Sequence, residues 1–141
     1  MVKQVSAAAA ENRPAGSASR GRARFHRNMR LLRHADFDRV YKQGRRHFAM
    51  HLTVFYRLRE KGDSARVGFT VSKALGGAVE RNRMRRRLRE AVRLNWSELR
   101  SPVDIVVNPK KSVLKADFAG LSDEVRRALE VVRKFVEKQS I

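Results

Sequence analysis

Between Glu80 and Arg93 the sequence ERNRMRRRLREAVR sets seven arginines against two glutamates, a local excess of five positive charges. A guanidinium is a planar fork that can hold two phosphate oxygens at once, so this run is chemistry for polyanions, folded RNA or a duplex above all. Charge runs are most often plain solvated faces. Here, however, GFTVSKALGGAVE stands directly ahead, a strand-like stretch and a glycine-bearing loop that feed into the arginine segment. Lys73 in that loop and the N-terminus of the following helix can act on an anion together. The candidate anion-binding groups are Lys73 and the arginines of this run.

Aromatic residues supply a second chemistry. Phe37 and Tyr41 lie one helical turn apart and share a face, and Phe55 falls on a strand-like run beside the small polar Thr53. Any one of the three rings has a simple role as core. Together, near a basic helix, they suit a groove in which unpaired bases stack, at about 1 to 3 kcal/mol per base. Val40, Val54 and Tyr56 would then carry the core side.

A protein active site is not legible. The acidic residues are scattered, and Asp36 and Asp38 sit on different faces of one helix. His26, His34, His47 and His51 lack metal-site spacing, so no metal is expected on the chain. Ser72 and Ser112 have no visible activating partner. The absence of cysteine excludes disulfides, thiolate zinc sites and a thiol nucleophile.

The elements that must position these residues follow from composition and periodicity. With 141 residues and 42% hydrophobic content, the chain can build one modest core. A net charge of +19 and a pI near 11.6 exceed what solubility requires, and a polyanionic partner is the expected compensation. No apolar run reaches the roughly 18 residues of a membrane span, so no membrane partner is expected. The N-terminal stretch is a poor secretory signal, although its Ala, Ser and Arg content also fits an organelle transit peptide; the reading adopted is cytoplasmic.

Residues 1–28 read as a disordered basic arm, and 29–141 as a single RNA-binding domain. Phe37, Val40 and Tyr41 mark a short amphipathic helix that Gly44 stops. HFAMHLTVFYRLR and ARVGFTVS read as strands joined in an antiparallel hairpin through EKGDS. On the next helix, Met84, Leu88, Ala91 and Val92 form an apolar stripe, with Asn82, Arg85, Arg86, Arg89 and Arg93 expected on the opposite side. VDIVV reads as a strand buried on both faces and ended by Pro109. Phe118, Leu121, Val125, Leu129, Val132 and Val136 then mark a final amphipathic helix. The order helix, strand, strand, helix, strand, helix gives an α+β fold, an α-β sandwich in which helices cover a small mixed sheet.

On these residues the chain resembles the protein subunit of bacterial ribonuclease P, the ribonucleoprotein that removes the 5′ leader from precursor tRNA. The likeness runs from about Leu31 to Phe135. Its most specific part is Arg81-Asn82-Arg83, continued by Arg85, Arg86 and Arg89 after RVGFTVSK; DFDRVYKQG, the strand ending at Phe55, and DIVV before Pro109 support it. The resemblance implies that the RNA subunit performs hydrolysis with Mg²⁺, with no catalytic residue in the protein, no organic cofactor and no obligate protein partner. It implies that the signature helix meets the ribonuclease P RNA. A cleft of Phe37, Tyr41, Thr53 and Phe55, bordered by Arg81, Asn82 and Arg85, would hold the single-stranded leader of precursor tRNA. It also implies the family's ribosomal-protein-like fold, with a left-handed β-α-β crossover where handedness rules alone give the opposite. Two positions depart from the family pattern. Ala74 stands where a second lysine is usual and Gly77 where a polar or basic residue is common, so one phosphate contact is missing unless Arg87 or the N-terminal arm compensates. The competing reading is a ribosomal or general structured-RNA-binding protein, which would bind RNA without stimulating leader removal.

Overall fold

The structure, a computed structural model, describes residues 30, 33–62, 64–96 and 101–139. The arm read over residues 1–28 lies outside them. Seven main elements follow in order: α1 (His34–Gln43), β1 (Arg45–Phe48), β2 (Leu52–Leu58), β3 (Arg66–Phe69), α2 (Ala78–Asn95), β4 (Val103–Pro109) and α3 (Phe118–Gln139). Short 3₁₀ turns at Lys73–Leu75 and Lys111–Leu114 precede α2 and α3.

The four strands form one mixed sheet in the order β1-β2-β4-β3. The expected hairpin between the second and third strand runs is corrected by this order. β4 lies between β2 and β3, antiparallel to the first and parallel to the second. The physical reason lies in β4 itself, because Val103 to Val107 are all buried. A strand apolar on both faces belongs in the middle of a sheet, where neighbours also satisfy both of its backbone edges. The run HFAMHLTVFYRLR is likewise two strands rather than one. A tight turn breaks it, in which the Ala49 amide donates to the Leu52 carbonyl at 2.9 Å. Glu124 of α3 holds that turn by accepting from the His51 amide at 3.0 Å.

The helices lie on both sides of the sheet. One face, carrying Val54, Tyr56, Val67, Phe69, Ile105 and Val107, packs on Met84 and Leu88 of α2 and on Leu121, Leu129 and Val132 of α3. On the other face α1 covers Val106 with Phe37 and Val40, and Phe55 packs against this smaller cluster. The stripes expected for α2 and α3 are therefore the ones that dock.

Gly44 ends α1 for a reason different from the usual left-handed cap. Its φ is −89°, which any residue adopts. A Cβ there would stand 2.5 Å from the carbonyl oxygens of both Val40 and Tyr56, and neither backbone group can swing aside. Gly44→Ala is expected to cost about 1 to 3 kcal/mol, as overpacked sites do, measured by urea unfolding. An unchanged midpoint would show that α1 can lift from β2.

Candidate nucleic-acid interface

Strand register divides the α1-side face of the sheet into three bands. Thr53 stands opposite Asn108, Phe55 opposite Val106 and Arg57 opposite Asp104. On the far side of β4, Gly68 pairs with Val106 and Arg66 with Asp104. Side chains alternate along a strand, so one end of this face is neutral and polar, the middle apolar and the other end ionic.

At the polar end Tyr41 of α1 meets both sheet strands and the loop. Its hydroxyl donates to Asn108 Oδ1 at 3.0 Å and stands 2.9 Å from Thr70 Oγ1, whose own proton can complete the network. The Tyr41 and Phe55 rings meet edge to face, with centroids 4.9 Å apart. Tyr41 is 36% exposed, and Thr53 and Phe55 are partly exposed. Phe37 requires a correction: at 6% exposure it packs among Val40 and Val106 and offers no free ring face. It supports this face from beneath, while Tyr41 and Phe55 carry the accessible rings. Thr70 and Asn108 were missed from sequence. A polar residue closing the apolar run before Pro109 was the available signal for Asn108.

Three residues after Thr70 the chain reaches Lys73, so the loop leading to α2 leaves from this same polar end. Ser72 Oγ accepts from the Ala74 amide at 3.1 Å and shapes the turn. Gly76 has φ of +147°, and a Cβ there would meet Glu80 Oε1 at 2.2 Å. That carboxylate accepts from the Gly77 amide at 3.1 Å, while Arg81 Nε donates back to the Gly76 carbonyl at 3.1 Å. The loop is thereby fixed against the first turn of α2. A side chain at Gly77 would meet open space, so the fold does not demand glycine there.

Along α2, Asn82, Arg83 and Arg86 are exposed, and Arg81 and Arg89 partly so. Arg85 departs from the expectation of an outward group, being only 4% exposed. Seven residues make almost two turns, so Arg85 lies within about 20° of buried Val92 on the helix. Its Nη1 donates to Asn82 Oδ1 at 2.8 Å, and its buried Nε meets no acceptor among the described residues. Burial first, and the charge of Arg81 second, hold the Arg85 guanidinium below its ordinary pKa. A cation placed so gains from an incoming anion that reaches it. Arg87, one candidate to replace the missing loop contact, is already committed. Its guanidinium donates to the Ala116 carbonyl and lies 5.9 Å from the centroid of the Phe118 ring, docking α2 on the start of α3.

The ionic end was not anticipated. Asp104, 1% exposed, accepts from Arg59 Nη1 at 2.6 Å and from Arg66 Nε and Nη2, each at 2.9 Å. Arg66 also lies 3.6 Å from Asp36 of α1, which pairs with Arg39 at 2.8 Å. The hydrogen bonds to Asp104 raise the Arg66 pKa against the cost of burial. These pairs tie α1, β3 and β4 together.

A polar, ring-bearing face that leads through a short loop into an arginine helix can stack unpaired bases and neutralise phosphates. Among the described residues no three histidine, aspartate or glutamate side chains cluster as a metal set. None of the described helices is long and apolar enough to cross a membrane.

Comparison with known proteins gives the relatives of the chain. Residues 25–133 match the family model described as Ribonuclease P. The ribonuclease P protein component of Finegoldia magna is 36% identical over 113 residues, covering 80% of this chain and 96% of that protein. That of Clostridioides difficile is 39% identical over 107 residues, covering 75% and 93%. Among solved structures, the Staphylococcus aureus RNase P protein superposes with a TM-score of 0.65 at 28% identity, covering 74% of this chain and 95% of that one. The Thermotoga maritima RNase P protein gives 0.57 at 26% identity, covering 82% and 97%.

Proposed function

The chain belongs to the ribonuclease P protein family, and from that membership we propose how its two surfaces divide the work of tRNA 5′-end maturation. It is the protein component of an endoribonuclease complex whose partner is the ribonuclease P RNA, and the reading as a general RNA-binding or ribosomal protein gives way to this one. The exposed arginines of α2, with Lys73, neutralise phosphates of the ribonuclease P RNA. The groove of Tyr41, Thr53 and Phe55, supported from beneath by Phe37, holds the unpaired 5′ leader of precursor tRNA. Hydrolysis with Mg²⁺ belongs to the RNA subunit in this reading, and no step passes through an ion held by the protein.

The observation that carries the proposal is the Tyr41, Thr70 and Asn108 cluster, which joins the ring-lined face to the loop that delivers Lys73 and α2. An RNA seated on the helix therefore presents substrate to the groove at one end of one sheet. Contacts to the leader favour precursor over mature tRNA, because product lacks the leader. Reconstitution with a ribonuclease P RNA at low Mg²⁺ tests the scheme; the chain should stimulate leader removal, and RNA binding without stimulation would reject it.

Phe55→Ala is expected to weaken precursor binding to the reconstituted complex by about 1 to 3 kcal/mol while leaving assembly with the RNA subunit intact. Filter-binding or fluorescence titrations against precursor and mature tRNA separate the effects. Equal loss for both tRNAs would remove Phe55 from the leader contact.

A further inference from the structure

We propose that Arg46 and Phe48 of β1 form an additional stacking station for an unpaired nucleotide of the same leader, extending the groove across the edge strand. The proposal rests on the leader-binding reading above. In the antiparallel register Phe48 stands opposite Thr53 and Arg46 opposite Phe55, so both project from the face that bears the groove. Phe48 is 68% exposed, and the Arg46 guanidinium lies over its ring, 5.6 Å from the centroid.

The need to protect an edge strand from pairing with another chain accounts for arginines on β1 but not for an exposed phenylalanine between them and the turn. A ring with one face under a guanidinium has the other available to a base. Diagonal neighbours on adjacent strands are about 7 to 8 Å apart, so bases stacked on Phe48 and Phe55 can be close along one RNA strand. Arg46 flanks Phe55 and reaches the Phe48 ring, where it can meet the intervening phosphate. Charge selects this occupant over a second copy of the chain. β1 carries Arg45, Arg46 and His47 and no acid, and pairing two such edges would oppose like charges. Arg45 serves as the internal control, since its guanidinium lies 5.0 Å from the Phe135 ring centroid on the opposite side of the sheet.

The test uses the full chain reconstituted with a ribonuclease P RNA and precursor tRNAs whose 5′ leaders are shortened stepwise. Phe48→Ala should weaken binding at least fivefold for long leaders, the lower end of base–aromatic stacking. It should have no effect on the shortest leader. Phe48→Trp should restore binding, Arg46→Ala should reproduce part of the loss, and Arg45→Ala should leave the leader dependence unchanged. If wild-type affinity itself is independent of leader length, the leader-binding reading fails and this proposal with it. If wild type gains affinity with leader length and Phe48→Ala follows it at every length, the station alone is rejected. Equal weakening of mature tRNA, or a change in sedimentation on substitution, would also overturn it in favour of another occupant. Unfolding in urea confirms that each variant keeps its fold.

Discussion

Raising monovalent salt from about 50 to 200 mM should weaken association of the chain with a ribonuclease P RNA by roughly 10³- to 10⁵-fold, the loss expected for some six to ten phosphate contacts. Lys73, Arg81, Arg83, Arg86 and Arg89 already supply five cations for that surface, on a chain whose net charge is +19. Individual side chains should divide sharply. Replacing exposed Arg83 and Arg86 by alanine should reduce the slope of log affinity against log salt by about one each. Arg87→Ala should leave the slope unchanged, because that guanidinium is spent on the Ala116 carbonyl and the Phe118 ring. A titration series in KCl checks all three. A fall of less than about tenfold across the range would mean that binding is not built on these charges.

Arg85 shows both the reach of sequence reasoning and its limit. The apolar stripe of Met84, Leu88, Ala91 and Val92 was legible because burial repeats with the helical period, and it does dock on the sheet. Position on a wheel nevertheless says less about residues at the stripe's margin. Arg85 borders Val92, and only the packing of α2 decides that its guanidinium is covered. The rings show the same limit. Phe37 and Tyr41 share a helix face, but the chain beneath Phe37 is Val106, whereas Tyr41 overhangs the polar end of the sheet, and periodicity cannot tell these apart. Strand partnership was less legible still. Local patterning made β2 and β3 look like a hairpin, and the insertion of β4 between them is a long-range choice that no local signal carries. The domain's class, its final helix and the doubly buried strand were readable because each depends on one segment's own apolar pattern.

Asp104→Ala should remove about 3 to 5 kcal/mol of stability, the loss typical when one partner of a buried ion pair is deleted. That is a large share of the ~5 to 15 kcal/mol that holds a typical domain together. Asp104 is the one acid in the apolar run VDIVV, and it is covered and answers two guanidiniums at once. Without it the Arg59 guanidinium keeps only a neutral acceptor, the Ser64 carbonyl at 2.9 Å, and no longer meets a carboxylate that offsets its burial. Arg66 would keep its longer contact with Asp36 of α1 but lose the anion on β4 that holds its guanidinium in place. Urea unfolding of wild type, Asp104→Ala and a combined Asp104→Leu, Arg59→Met, Arg66→Leu variant measures this directly. The combined variant should recover most of the loss, since apolar residues of similar volume often replace a buried ionic cluster without penalty. A loss below about 1 kcal/mol for Asp104→Ala would place the pair among weak surface interactions. Because the same ions fix α1, which supplies Tyr41 and Phe37, a large loss of stability should be accompanied by weaker leader binding even though Asp104 itself is at the far end of the face.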